Sequence, residues 1–191
     1  MAYDLEKLIH QFFRSVENQW KTSFQYSLIK DIEKNLLSST GYGELKRLVS
    51  PKGVQTWPHP FASMSHSHRS VCVVVAPGEC SGFGFDMELE RKVKAFKKER
   101  ILNSEEIEIT SSWSDLECFC AKEALFKADL NNQRRSIFHY QIIEEHDCGD
   151  LMTQQFPIRF SKGRSILDNR DFNLATLAIG GENAVALARA I

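Results

Sequence analysis

The chain lacks the marks of most specialised protein classes. It has no Cys-x-x-Cys pair, and its five cysteines are odd in number, which argues against a paired zinc site and against a closed disulfide framework. Cys118 and Cys120 stand two apart, so on a helix they point in different directions and cannot grip one metal ion together. Reduced thiols are therefore expected. Charge of one sign is also missing: the formal net charge is −1, and no global basic field points to nucleic acid or a membrane surface. No apolar run approaches the roughly 20 residues of a membrane-spanning helix. Charge begins at Asp4, which does not suit a secretory leader. These absences predict a cytoplasmic protein with neither a nucleic acid nor a membrane as partner.

What is present is the composition of an ordinary globular protein, 42% hydrophobic and 26% charged over 191 residues, long enough to bury a full core. Leu5, Leu8, Ile9, Phe12, Phe13, Val16 and Trp20 recur at helical spacing and predict an amphipathic first helix. Thr22 and Gln25 form a capping-box pattern ahead of Phe24, Leu28, Ile29, Ile32 and Leu36, which predicts a second helix. Residues 51–60 read as loop. The β-branched run Val71–Val75 predicts a buried strand, and residues 82–88 the second strand of a hairpin with it. A short solvated helix is expected from Leu89 to about Arg100.

Residues 111–130 predict the central helix, capped by Ser112 or Ser114, with Leu116, Phe119, Cys120, Phe126 and Leu130 on one apolar face. Strands are then expected at 137–143, 156–160, 172–178 and 184–188, with turns at Cys148-Gly-Asp, Lys162-Gly-Arg and Gly180-Gly-Glu-Asn. Helices followed by strands, twice over, predict an α+β fold. It would be a single domain over 1–191 made of two similar, pseudo-twofold halves, about 1–95 and 96–191, each with helices packed on a small antiparallel sheet.

Three acids stand out. Asp86 and Glu88 sit at i and i+2 on a predicted strand, so both side chains leave the same face. An exposed strand edge tolerates such a pair; a buried one calls for a cation between the carboxylates. Glu123 falls in the middle of the apolar face of the central helix, where a carboxylate must be paired, protonated or cation-bound. Lys127, one turn on, offers an internal i,i+4 partner. Taken together the three acids suit a hard ion such as Mg²⁺ and phosphate chemistry. Donors for a phosphate are Ser65 and His66 at the mouth of the Val71 strand, Lys127, and Lys52 and Arg47 near the preceding loop. A histidine before a strand also has an ordinary structural use.

Trp57-Pro58, Ser63-Met-Ser-His66, Gly84-Phe-Asp-Met-Glu88 and Trp113 through Ala121-Lys-Glu-Ala-Leu-Phe-Lys127 follow one another in this order. Over residues 50–130 this pattern closely resembles the larger, pseudodimeric 4′-phosphopantetheinyl transferases, the enterobactin- and surfactin-synthase activating enzymes. The Trp-Pro and Ser-His elements resemble the enterobactin-type branch. The resemblance implies that Asp86, Glu88 and Glu123 bind Mg²⁺ beside the pyrophosphate of coenzyme A. Glu123, or a water it holds, would be the base that deprotonates a serine of an apo acyl or peptidyl carrier protein. Lys127 would neutralise the pyrophosphate, Ser65 and His66 would contact the 3′-phosphate of coenzyme A, and Lys52 and Arg47 would add basic contacts.

The resemblance places the chain in fatty acid or secondary metabolite biosynthesis as a monomer, with coenzyme A as co-substrate. The sequence departs from the family pattern at Met64 and Met87, where isoleucine is usual, and at Ala62, where glycine is usual. It also carries a second histidine, His68, and lacks an Arg-rich N-terminal helix. Two rival readings are a non-catalytic module that binds coenzyme A or carrier proteins, and a metal-dependent nuclease. The first would be favoured by loss of one of the three acids, the second by an acid-x-Lys pair on a strand and a basic groove.

Overall fold

A computed structural model describes residues 4–29, 62–67, 70–75, 82–89, 97–146, 156–180 and 182–191. Helix α1 (Leu5–Trp20) opens the fold as its periodicity predicts. The Asp4 side chain accepts a hydrogen bond from the Lys7 N–H at its start, and Lys21 ends it in the left-handed conformation at φ 52°. The expected second helix gives way to strand β1 (Gln25–Ile29). Phe24, Tyr26 and Leu28 turn towards the core while Gln25 and Ser27 face out, a period of two that the sequence equally allows. The aromatic pairing of Tyr26 with Phe13, stacked at 4.2 Å, commits the segment to the sheet. Ile32 and Leu36 lie outside the described residues.

Strands β2 (Ala62–Ser67) and β3 (Ser70–Val75) complete a three-stranded antiparallel sheet of order β1-β3-β2. Strand β4 (Phe83–Glu88) does not form a hairpin with β3. It joins β5 (Tyr140–His146), β6 (Ile158–Ser165), β7 (Asp171–Ile179) and β8 (Asn183–Ala190) in a five-stranded antiparallel sheet of order β4-β8-β7-β6-β5. Both sheets are antiparallel and helices pack beside them, an α+β fold. The five-stranded sheet draws one strand from the first ninety residues and four from the rest.

Lys162-Gly-Arg, expected as a turn, runs straight through β6. Gly163 is there for space, since a Cβ would stand 2.4 Å from a methyl of Leu125. Residues 137–139 form a 3₁₀ turn, so the fifth strand starts later than expected. Of the solvated helix expected from Leu89 to about Arg100, residues 90–96 lie outside the described residues, and Lys98–Arg100 form a 3₁₀ turn. Residues 51–60 and Cys148-Gly-Asp lie outside them.

The five-stranded sheet has two differently covered faces. Phe83, Phe85, Met87, Ala175, Leu177, Val185 and Leu187 pack with α1 and with Cys72 and Val74 of the smaller sheet. Opposite-pointing residues of the same strands, Phe172, Leu174 and the alanines at 184, 186, 188 and 190, pack against helix α3 (Asp115–Ala128). Short helix α2 (Ser104–Ile109) precedes it, opened by a full capping box between Asn103 and Glu106. Small residues on β4 and β8 let α3 lie close: a Cβ at Gly84 would stand 2.0 Å from the carbonyl oxygen of Ala124. Backbone cannot yield there as a side chain could. Gly84→Ala is therefore expected to lower stability by about 3 kcal/mol, the upper range for overpacking, as read by chemical denaturation.

Candidate functional site around Asp86

The packing of α3 on β4 creates the site. Ser114 starts the helix by accepting from the Glu117 N–H at 3.1 Å. From there the helical repeat runs Ala121, Ala124, Leu125 and Ala128 along the sheet. Phe119, Glu123, Phe126 and Lys127 fall on its less covered side. Glu123 is thus half-buried at a margin and does not lie in the middle of the buried face, as its neighbours Phe119 and Phe126 suggested. The sheet-facing surface is built of alanines, which carry little hydrophobic signal, so the large side chains pointed to the wrong face.

Lys127 reaches across to β4. Its Nζ donates to Asp86 Oδ1 at 2.6 Å and to the Phe85 carbonyl at 3.3 Å. Its ion pair is therefore with Asp86, and the i,i+4 pairing with Glu123 is not the contact it makes. Glu123 faces the same acids: burial raises its pKa above the ordinary glutamate value, Asp86 and Glu88 push it further up, and Lys127 opposes them. Beneath them Cys120 is fully buried, its thiol held well above its usual pKa by burial, by the charges of Asp86 and Glu88 and by a side-chain hydrogen bond with Asp86. Its sulfur donates to the Ala184 carbonyl at 3.6 Å. Cys72 and Cys118 are buried free thiols as well, pushed up to about 12 by burial.

The other edge of β4 is closed by serines. Ser63, Ser65 and Ser67 alternate along β2, and their hydroxyls accept from the backbone N–H groups of Phe85 (2.8 Å), Met87 (3.1 Å) and Leu89 (2.8 Å). Ser65 donates to Asp86 Oδ1 at 2.9 Å, and Ser67 to Glu88 Oε2 at 2.8 Å. Ser67 was absent from the sequence-based site, although the Ser-x-Ser-x-Ser alternation was there to be read. His66 lies on β2 with its side chain outside the described part of the structure, and Lys52 and Arg47 lie outside the described residues.

Among the described residues no group of three His, Cys, Asp or Glu side chains stands in metal-holding geometry; the positive charge at Asp86 is the Lys127 ammonium. The donor set nevertheless fits a hard cation. Asp86 Oδ2 is buried with no hydrogen-bond partner among the described residues. Asp86 and Glu88 disfavour the charge of Glu123, and all three side chains offer oxygen donors.

Sequence reasoning missed the buried charges away from this site. Lys122 pairs with Glu106 at 2.5 Å and donates to the Tyr140 carbonyl. Asp129, fully buried, accepts from Tyr140 Oη and from Arg135, both at 2.6 Å. Glu117 accepts from Thr176 Oγ1 at 2.7 Å beside Arg159.

Burial raises the Glu117 pKa despite Arg159. Its folded form thus holds a proton more tightly than the unfolded chain does. Stability from this group is fullest below the unfolded carboxyl pKa and falls as pH rises towards the raised folded value. Glu117→Gln is expected to remove that decline, visible as a smaller pH slope of unfolding free energy than wild type on the acid side.

No described helix is long and apolar enough to cross a membrane. Compared with protein-family models and with curated proteins, the sequence matches neither.

Proposed function

We propose that the chain is a 4′-phosphopantetheinyl transferase, moving the phosphopantetheine group of coenzyme A onto a serine of an apo carrier protein. The observation that carries this reading is Asp86. One buried oxygen is gripped by Lys127 and Ser65, the other has no hydrogen-bond partner among the described residues, and the charge of Asp86 is felt at Glu123.

In this reading Asp86, Glu88 and Glu123 would hold Mg²⁺, which when bound offsets charge developing on the pyrophosphate oxygens. Glu123 accepts the proton of the acceptor serine hydroxyl. The serine oxygen bonds to the phosphorus that bears pantetheine. The bond from that phosphorus to the bridging oxygen breaks, and adenosine 3′,5′-bisphosphate leaves. Lys127 holds positive charge on the leaving side. Gly84 serves this chemistry by bringing α3 close enough for Lys127 to reach β4.

We place the protein in the cytoplasm as a monomer, since one chain carries both the acids and the lysine. The test is release of adenosine 3′,5′-bisphosphate from coenzyme A in the presence of an apo carrier and Mg²⁺. Release that stops with EDTA supports the reading. Coenzyme A binding with no release from any carrier would leave the binding-module reading in its place.

A further inference from the structure

We infer that Ser65 and Ser67 are positioning residues that orient Asp86 and Glu88 from behind, each tying down one carboxylate oxygen. The inference deepens the transferase reading and rests on it for its consequence, though not for its geometry. The serine ladder meets, in order, the N–H groups of Phe85, Met87 and Leu89, which follow Gly84, Asp86 and Glu88 along β4. Ser63 uses its hydroxyl on backbone alone, accepting from Phe85 N–H at 2.8 Å and meeting the Phe85 carbonyl at 3.4 Å. Ser65 and Ser67 accept in the same way from Met87 and Leu89. Their protons go to the acids, since the carboxylate oxygens at 2.9 Å and 2.8 Å are nearer than the Met87 and Leu89 carbonyls at 3.3 Å and 3.2 Å.

A serine hydroxyl has one proton. Once the Ser65 proton is on Asp86 Oδ1 it is not available to a phosphate oxygen, so the role that the family resemblance implies for Ser65 changes. It acts on coenzyme A through Asp86 and not by touching the 3′-phosphate. Asp86 Oδ1 then carries both the Ser65 hydroxyl and the Lys127 ammonium, which fixes the rotamer and leaves Oδ2 as the oxygen with no hydrogen-bond partner among the described residues. Glu88, a longer and looser side chain, is tied at Oε2 by Ser67. Partners of this kind behind a ligand are typically worth about ten- to a hundredfold in metal affinity.

The test compares Ser63→Ala, Ser65→Ala and Ser67→Ala in the full chain. All three remove a rung between β2 and β4, so all three are expected to lose stability by similar amounts. Only Ser65→Ala is expected to move the carboxyl ¹³C resonance of Asp86, and only Ser67→Ala that of Glu88, with no metal added. Mn²⁺ titration is then expected to give about tenfold weaker binding for these two and wild-type binding for Ser63→Ala. In turnover, Ser65→Ala lowers kcat while leaving the KM for coenzyme A and the preference over 3′-dephospho-coenzyme A unchanged.

Carboxyl resonances that move equally in all three variants, or in none, would overturn the inference. So would a Ser65→Ala variant that raises the KM for coenzyme A but not for its dephospho form, since that marks a direct phosphate contact. Resonances that respond as expected in a protein that binds no Mn²⁺ would uphold the positioning and remove the metal from the transferase reading.

Discussion

Glu123→Gln is expected to abolish the proposed transfer while the protein remains folded. The substitution keeps the size of the side chain and removes the basic oxygen, so it deletes the proton acceptor without opening a cavity. A positioned general base contributes about 10²- to 10⁴-fold, and turnover is expected to fall by that much. The thermal midpoint stays near wild type, because Glu123 is half-buried beside two other acids that disfavour its charge.

The same surroundings set the titration of the metal-free protein. Burial, then Asp86 and Glu88, lift the Glu123 pKa, so its carboxyl ¹³C resonance is expected to titrate above the ordinary glutamate value, and added Mg²⁺ to pull that titration back down. Undiminished turnover in Glu123→Gln would take Glu123 out of the mechanism.

Lys122→Met is the largest expected loss of stability. Lys122 and Glu106 are 1% and 4% exposed at the side chain and 2.5 Å apart. Glu106 also accepts from the Asn103 N–H and the Ile142 N–H, so it ties α2 to β5 and to α3. Methionine replaces the lysine stem well but leaves a buried carboxylate without its cation. Breaking a buried pair from one side costs about 3–5 kcal/mol, and urea denaturation of Lys122→Met is expected to show a loss in that range.

Adding Glu106→Gln to Lys122→Met restores part of the loss, because no uncompensated charge is then left inside. The capping box and the Ile142 contact still suffer, so recovery is incomplete. Purely additive losses in the double variant would mean that the two side chains are not energetically paired.

Local patterns carried some of this structure and failed for identifiable reasons. Helix α1 was legible because Leu8, Ile9, Phe12, Phe13 and Val16 all face one core, and their spacing leaves little room for another period. Strand β1 was not, because Phe24 and Leu28 fit a helical repeat as well as a strand, and the choice was made by Tyr26 and Phe13, thirteen positions apart. The partner of β4 lies about a hundred residues away at β8, beyond any local signal, so the sequence pattern favours the nearer β3.

Within the site, the Gly-x-Asp-x-Glu strand and the Lys-Glu-Ala-x-x-Lys helix segment were legible as a pair. Their contact through Gly84 and Ala124 is a consequence of two small residues meeting. The ion pairs of Lys122 and Asp129 join segments that no periodicity links.

The most direct measurement is the intact mass of a panel of apo carrier proteins after incubation with this protein, coenzyme A and Mg²⁺. The account predicts that one or more carriers gain the mass of a single phosphopantetheine group, that EDTA prevents the gain, and that Glu123→Gln does not produce it. Carriers that stay at their apo mass with wild-type protein, in a sample that also fails to bind coenzyme A, would contradict it.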